Sequence, residues 1–93
     1  MKIKLSQEAE EQLAKSQYNS YPYIELKLIK FGWAGPQLGV VPRTSLEEDK
    51  YYLEENSGKT FAIKNIINRL YKGFEVDYMG EDQENDFQIT IDF

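Results

Sequence analysis

The stretch from Tyr23 to Leu38 constrains the fold more than any other. Tyr23-Ile24-Glu25-Leu26-Lys27-Leu28-Ile29-Lys30-Phe31 puts Ile24, Leu26 and Leu28 on one face and Glu25 and Lys27 on the other. That period of two predicts a strand with one buried face. It ends in Gly32-Trp33-Ala34-Gly35-Pro36, where two glycines supply positive φ or close backbone approach and Pro36 withdraws a donor. Gln37-Leu38-Gly39-Val40-Val41 then resumes a strand pattern. Binding groups usually sit on loops held by a rigid scaffold, so Gly32, Trp33, Ala34, Gly35 and Pro36 form the candidate interaction loop.

The rest of the chain supplies more strands and two helical stretches. Lys2 to Leu5 reads as a short strand, and Ser6 as the N-cap of a helix reaching about Gln17, with Glu8, Glu10 and Glu11 at its positive end. Leu5, Ala9 and Leu13 give that helix a narrow apolar stripe. Pro42 to Lys50 reads as a loop or edge. Tyr51–Glu54 and Thr60–Ala62 read as strands about an Asn56-Ser57-Gly58-Lys59 turn. Ile63, Ile66, Ile67 and Leu70 recur at the spacing of one helix face, predicting a second short helix over about Lys64–Tyr71, closed by Gly73 as its C′ residue. Phe74–Tyr78 and Phe87–Phe93 alternate as strands across a polar turn. The expected fold is mainly β with two short helices, in two small, mostly antiparallel sheets or a partly closed barrel.

Ninety-three residues allow one domain, spanning 1–93, with a single modest core. A net charge of -5 disfavours nucleic acid, which needs a clustered basic face, and also an anionic membrane surface. The absence of cysteine and histidine removes disulfides, thiolate catalysis, the common zinc sites and the Ser-His-Asp arrangement. No long apolar run follows Met1-Lys2-Ile3-Lys4-Leu5, and no stretch approaches the ~20 apolar residues of a membrane span, so a cytoplasmic location is expected.

In their order and spacing these pieces resemble the HesB-like, IscA-type (A-type) iron–sulfur cluster carrier family. Ile3-Lys4-Leu5-Ser6-Gln7-Glu8-Ala9 is similar to that family's opening strand, capping serine and helix, and Ile24-Glu25-Leu26-Lys27-Leu28 to its second strand. Gly32-Trp33-Ala34-Gly35 sits where the family has Gly-Cys-Ser-Gly. Gly73-Phe74-Glu75-Val76-Asp77-Tyr78 looks like its Gly-x-x-Ile-Asp-Tyr segment, and Phe87-Gln88-Ile89 its closing strand. The resemblance implies a β-rich pseudobarrel and self-association, as a homodimer, through the loop side. In that family one loop cysteine and a Cys-Gly-Cys tail ligate iron. Here Trp33 takes the loop position, and the sequence ends at Phe93, before the tail would begin. Soft thiolates select iron–sulfur clusters and an indole cannot replace them, so no cofactor, metal or catalytic residue is assigned.

Other candidates stand beside ordinary readings. Trp33 is either an exposed partner anchor or a plug folded back on the barrel end. Glu81, Asp82, Glu84 and Asp86 either hold a hard cation or form a solvated turn, since the distal glutamate of a calcium loop falls on Phe93. Glu25, Glu75 and Asp77 would need placement about 5–9 Å apart to act as a glycosidase pair; the resemblance implies instead a structural role for Asp77, satisfying a backbone amide. Tyr18, Tyr21, Tyr23, Tyr51, Tyr52, Tyr71 and Tyr78 either line a groove or make cross-strand contacts. The glycines of 32–39 fit neither nucleotide-binding fingerprint. The expected function is a binding module without cluster ligands, accessory or regulatory to iron–sulfur assembly and engaging its proteins. The alternatives are a binding domain unrelated to iron, or a weak carboxylate-based divalent-metal binder.

Overall fold

The protein was analysed as a computed structural model, which describes residues 2–33, 35–80 and 87–93. In order the elements are β1 (Ile3–Leu5), α1 (Gln7–Leu13), α2 (Ser16–Asn19), β2 (Tyr23–Gly32), β3 (Gly35–Arg43), a 3-10 turn (Glu48–Lys50), β4 (Tyr51–Asn56), β5 (Lys59–Lys64), α3 (Asn65–Leu70), β6 (Gly73–Tyr78) and β7 (Phe87–Asp92). The strands form a three-stranded sheet ordered β1-β6-β7 and a four-stranded sheet ordered β3-β2-β5-β4. Both sheets are mixed: β1–β6 and β2–β5 are parallel, while the hairpin-connected pairs and β6–β7 are antiparallel.

β5 lies between β2 and β4, and Phe61, Ala62 and Ile63 are all fully buried. A strand covered on both faces reads as a continuous apolar run, as this one does. The core joins those side chains to Ile24 and Leu26 of β2, Phe74 and Val76 of β6, Phe87 of β7, and Ala9 and Leu13 of α1. Tyrosines finish it: Tyr18 and Tyr78 meet Phe87 edge-on at 5.5 and 5.3 Å, and Tyr71 meets Phe74 and Phe93 at 6.3 and 5.1 Å. These contacts are packing rather than the walls of a common groove.

Side chains of β4 stitch the two sheets together. The Glu54 carboxylate accepts the backbone N–H groups of Lys2 at 2.9 Å and Ile3 at 3.1 Å, and the Asn56 amide donates to the Ile3 carbonyl at 2.8 Å. β1 pairs with β6 on one edge, and on the other Glu54 and Asn56 take the place of a neighbouring strand. Burying Glu54 is tolerable because both its oxygens are served. Tyr52 donates a third bond to it, at 2.6 Å. Burial and this contact with Glu54 push the Tyr52 phenol up to about 12. In an alkaline absorbance titration Tyr52 should therefore ionise above the ordinary tyrosine value near 10, and Tyr52→Phe should remove that late step. The sign follows from linkage: the contribution is intact below the unfolded value and is lost as pH rises toward 12.

Ser6 caps α1 as its sequence position predicts. Its Oγ accepts the Ala9 N–H at 3.1 Å and donates to Asp77 Oδ1 at 2.7 Å, while its own N–H reaches the Val76 carbonyl at 3.0 Å. Asp77 Oδ1 also accepts the Tyr78 amide at 2.8 Å, the structural role read for it from sequence. Ser6→Ala removes both the cap and the link to β6. It should lower stability by about 1–2 kcal/mol in urea unfolding; an unchanged midpoint would show the cap to be idle.

Several local expectations need correction. The first helix stops at Leu13 instead of Gln17, because Lys15 is extended (φ -78°, ψ 162°) and α2 starts afresh after it. Gly73 is not a C′ residue. It is the first residue of β6, buried, where an added Cβ would come within 3.1 Å of the Lys2 carbonyl oxygen. β3 runs on through Pro42 to Arg43, which is tolerable because β3 is an edge strand and can lack donors. The expected stripe is split: Ile63 belongs to β5, and in α3 Ile67 faces the core whereas Ile66 and Leu70 are 67% and 63% exposed.

Candidate functional site

β5 accompanies β2 only over Tyr23–Glu25; beyond that β2 has β3 as its partner. The register runs from Tyr23↔Arg43 to Gly32↔Gly35, with an irregularity at Ile29 between Leu28↔Leu38 and Lys30↔Gln37. Residues 27–32 and 35–37 therefore form a two-stranded ribbon leaving the sheet. Gly35 closes its end at φ +105°, a conformation that side chains rarely adopt.

Along this ribbon and its turn Ile29, Phe31 and Trp33 are apolar and exposed. Phe31 is 72% exposed and Trp33 107%, so the indole stands free of its own fold. It does not plug the barrel end. Phe93 is also exposed and lies beside the ribbon, its Cζ 4.0 Å from the Cβ position at Gly35. Of the expected loop, Gly32, Trp33, Gly35 and Pro36 are thus gathered at one exposed tip, and Ala34 lies outside the described residues. The sequence reading missed Phe31 and Phe93; the exposure of Phe31 depends on where β5 stops, and Phe93 comes beside the ribbon from the end of β7. Exposed apolar groups in a cluster mark contact surfaces more often than isolated ones do. The tip offers no nucleophile or titratable group, and its chemistry is that of an apolar anchor.

Glu25 is set apart from the other two carboxylates, which share an open strand face. Glu25 is fully buried in the four-stranded sheet and bonded to Arg43 at 2.6 Å, whereas Glu75 and Asp77 lie on the exposed face of β6. Glu25 was expected on the solvent face. Ile24, Glu25 and Leu26 are all buried, so β2 is covered on both faces here, and Glu25 Oε2 has no hydrogen-bond partner among the described residues. No group of three His, Cys, Asp or Glu able to hold a metal occurs among the described residues. The proposed cation ligands Glu81, Asp82, Glu84 and Asp86 lie outside them. An iron–sulfur cluster does not fit the donor set: the loop position carries an indole, and the 93 residues contain no thiol.

The arrangement of two small mixed sheets with helices packed on them is the HesB-like fold. No protein-family model matches the sequence, and no curated protein matches it. Solved structures do. The chain is similar to Escherichia coli SufA, involved in biosynthesis of iron–sulfur clusters, with a TM-score of 0.72 at 17% identity over 95% of this chain and 78% of SufA. It is similar to IscA, solved with a 2Fe–2S cluster, with a TM-score of 0.67 at 17% identity over 96% of this chain and 84% of that one. An Aquifex aeolicus protein solved by NMR gives a TM-score of 0.68 at 22% identity, over 97% and 91%. The chain has the fold of these proteins.

Proposed function

We propose that this chain is a cysteine-less member of the HesB-like, A-type family. On this reading it is a non-catalytic, cytoplasmic, accessory or regulatory binding protein of iron–sulfur cluster assembly. It engages the proteins that carriers engage, without holding the cluster itself. One observation carries the reading: the shape of SufA and IscA recurs in a chain with no thiol, with a fully exposed tryptophan on the ribbon tip. An exposed indole among apolar neighbours is the kind of residue that supplies much of the energy of a protein contact. The same ribbon serves self-association as a homodimer.

Two measurements test this. Anaerobic incubation with ferrous iron and sulfide, followed by gel filtration, should leave the protein colourless, since soft ligands are lacking. Immobilised protein should retain a cysteine desulfurase or a cluster scaffold protein. A stable coloured species would overturn the non-carrier reading. Failure to retain any assembly protein would move the chain to a binding role unrelated to iron.

A further inference from the structure

α3 presents a second surface, unconnected with the ribbon tip in its chemistry. A groove of about 810 Å³ separates α3 from the segment that joins β3 to β4. Arg43, Leu46 and Tyr51 line one wall, and Lys64, Ile66 and Arg69 the other. Both arginines of the chain are here. Asn65 ties the walls at one point, donating to the Asp49 carbonyl at 3.1 Å.

The local charges do not cancel. Glu25 holds Arg43 at 2.6 Å, and Glu47 holds Lys50 at 2.7 Å. Lys64 and Arg69 are exposed, and their side chains make no hydrogen bond or ion pair with any described residue. Asp49 is the acid left on the facing wall, and Glu48 beside it is turned to another cavity, where it accepts the Tyr23 hydroxyl at 3.0 Å, so within the groove two cations stand against one carboxylate. In a chain of net charge -5 this is a positive remainder. With a screening length of ~8 Å at physiological salt, a ligand in the groove senses this balance more than the distant acids. Beside those cations Ile66 and Leu70, one helical turn apart, are exposed.

We infer that this groove docks an acidic segment of a partner protein, one that interleaves carboxylates with apolar side chains. Its carboxylates pair with Arg69 and Lys64, and its apolar groups cover Ile66 and Leu70. A guanidinium suits a carboxylate because its donors form a planar fork. A second copy of this chain in a two-fold contact is a poor occupant, because such a contact opposes a patch to itself and would set cation against cation. A small hydrophilic anion would leave Ile66 and Leu70 uncovered. Nucleic acid needs many more phosphate contacts than two free cations supply. The inference does not rest on the iron–sulfur reading, since it specifies only the partner's chemistry.

The test pans a random peptide library displayed on phage against the full chain, after depletion on the Lys64→Gln/Arg69→Gln variant. Enriched peptides should carry at least two acidic residues and apolar ones between them. A synthetic copy of the commonest should perturb amide signals of residues 43–51 and 64–70. It should bind Lys64→Gln/Arg69→Gln and Ile66→Ser at least tenfold more weakly, and lose affinity in high salt. These substitutions lie on the surface, and unchanged spectra away from the groove would confirm the variants are folded. The inference is overturned by no enrichment, by a neutral or basic consensus, or by equal binding to the variants. It is equally overturned by shifts confined to residues 31–36, or by citrate or a DNA duplex displacing the peptide at its own concentration.

Discussion

Arg43→Met should lower the unfolding free energy by about 3 kcal/mol, among the larger losses a single surface-reaching side chain can cause. Its partner Glu25 has a side chain 1% exposed, and Arg43 supplies its one cation at 2.6 Å. Removing the guanidinium leaves a carboxylate in the sheet with Oε2 already unpartnered, so the cost is that of a stranded buried charge. Arg43 keeps a 37% exposed side chain, which lets water reach the site and places the loss toward the lower end of the ~3–5 kcal/mol range for broken buried pairs. With a urea slope of roughly 2 kcal/mol/M the midpoint falls by roughly 1.5 M. The double substitution Glu25→Leu/Arg43→Met should recover most of this, because apolar side chains of similar size remove the charge that needed a partner. A single variant with an unmoved midpoint, or a double variant as unstable as the single, would sink this account.

The same pair marks where sequence reasoning stopped. In Ile24-Glu25-Leu26 the alternation places Glu25 outward, and for an isolated hairpin that would hold. In the folded chain both faces of β2 are covered at Ile24–Leu26, where Tyr23–Glu25 pairs with Thr60–Ala62, a contact made far along the chain that no local period encodes. The cap at Ser6, the Ser57-Gly58 turn and the alternation of β6 and β7 were legible because each is set by neighbours in sequence. Both turn residues indeed have positive φ, 52° and 76°. Helix ends were less so: Lys15 breaks a stretch whose composition favours continuing, and Gly73 is small for the sake of β1 rather than for a helix end. Four apolar residues at helical spacing read as one buried stripe, yet Ile63 belongs to β5 and of the three on α3 only Ile67 is buried. At the ribbon the turn was visible in the glycines. That Trp33 faces solvent was not, because both readings of it share one sequence.

Trp33→Ala separates stability from association at that ribbon. A side chain wholly exposed on a tip buries nothing of its own fold, so the melting temperature and urea midpoint should stay within the ~0.5 kcal/mol of neutral surface changes. Binding should not. A tryptophan at the centre of a contact typically costs ~2 kcal/mol or more on truncation, about a 30-fold loss at 1.4 kcal/mol per tenfold. Sedimentation velocity across a concentration series should show the half-association point rising by that factor, and retention of the assembly protein should weaken in parallel. Phe31→Ala should act in the same direction and less strongly, since Phe31 retains contact with its own ribbon where it pairs with Pro36. Conversely, a loss of several degrees in melting temperature with association unchanged would mean that the indole supports its own chain. The two outcomes exchange which axis moves, because an exposed ring can lower the free energy of a complex only through surface that the free protein leaves in water.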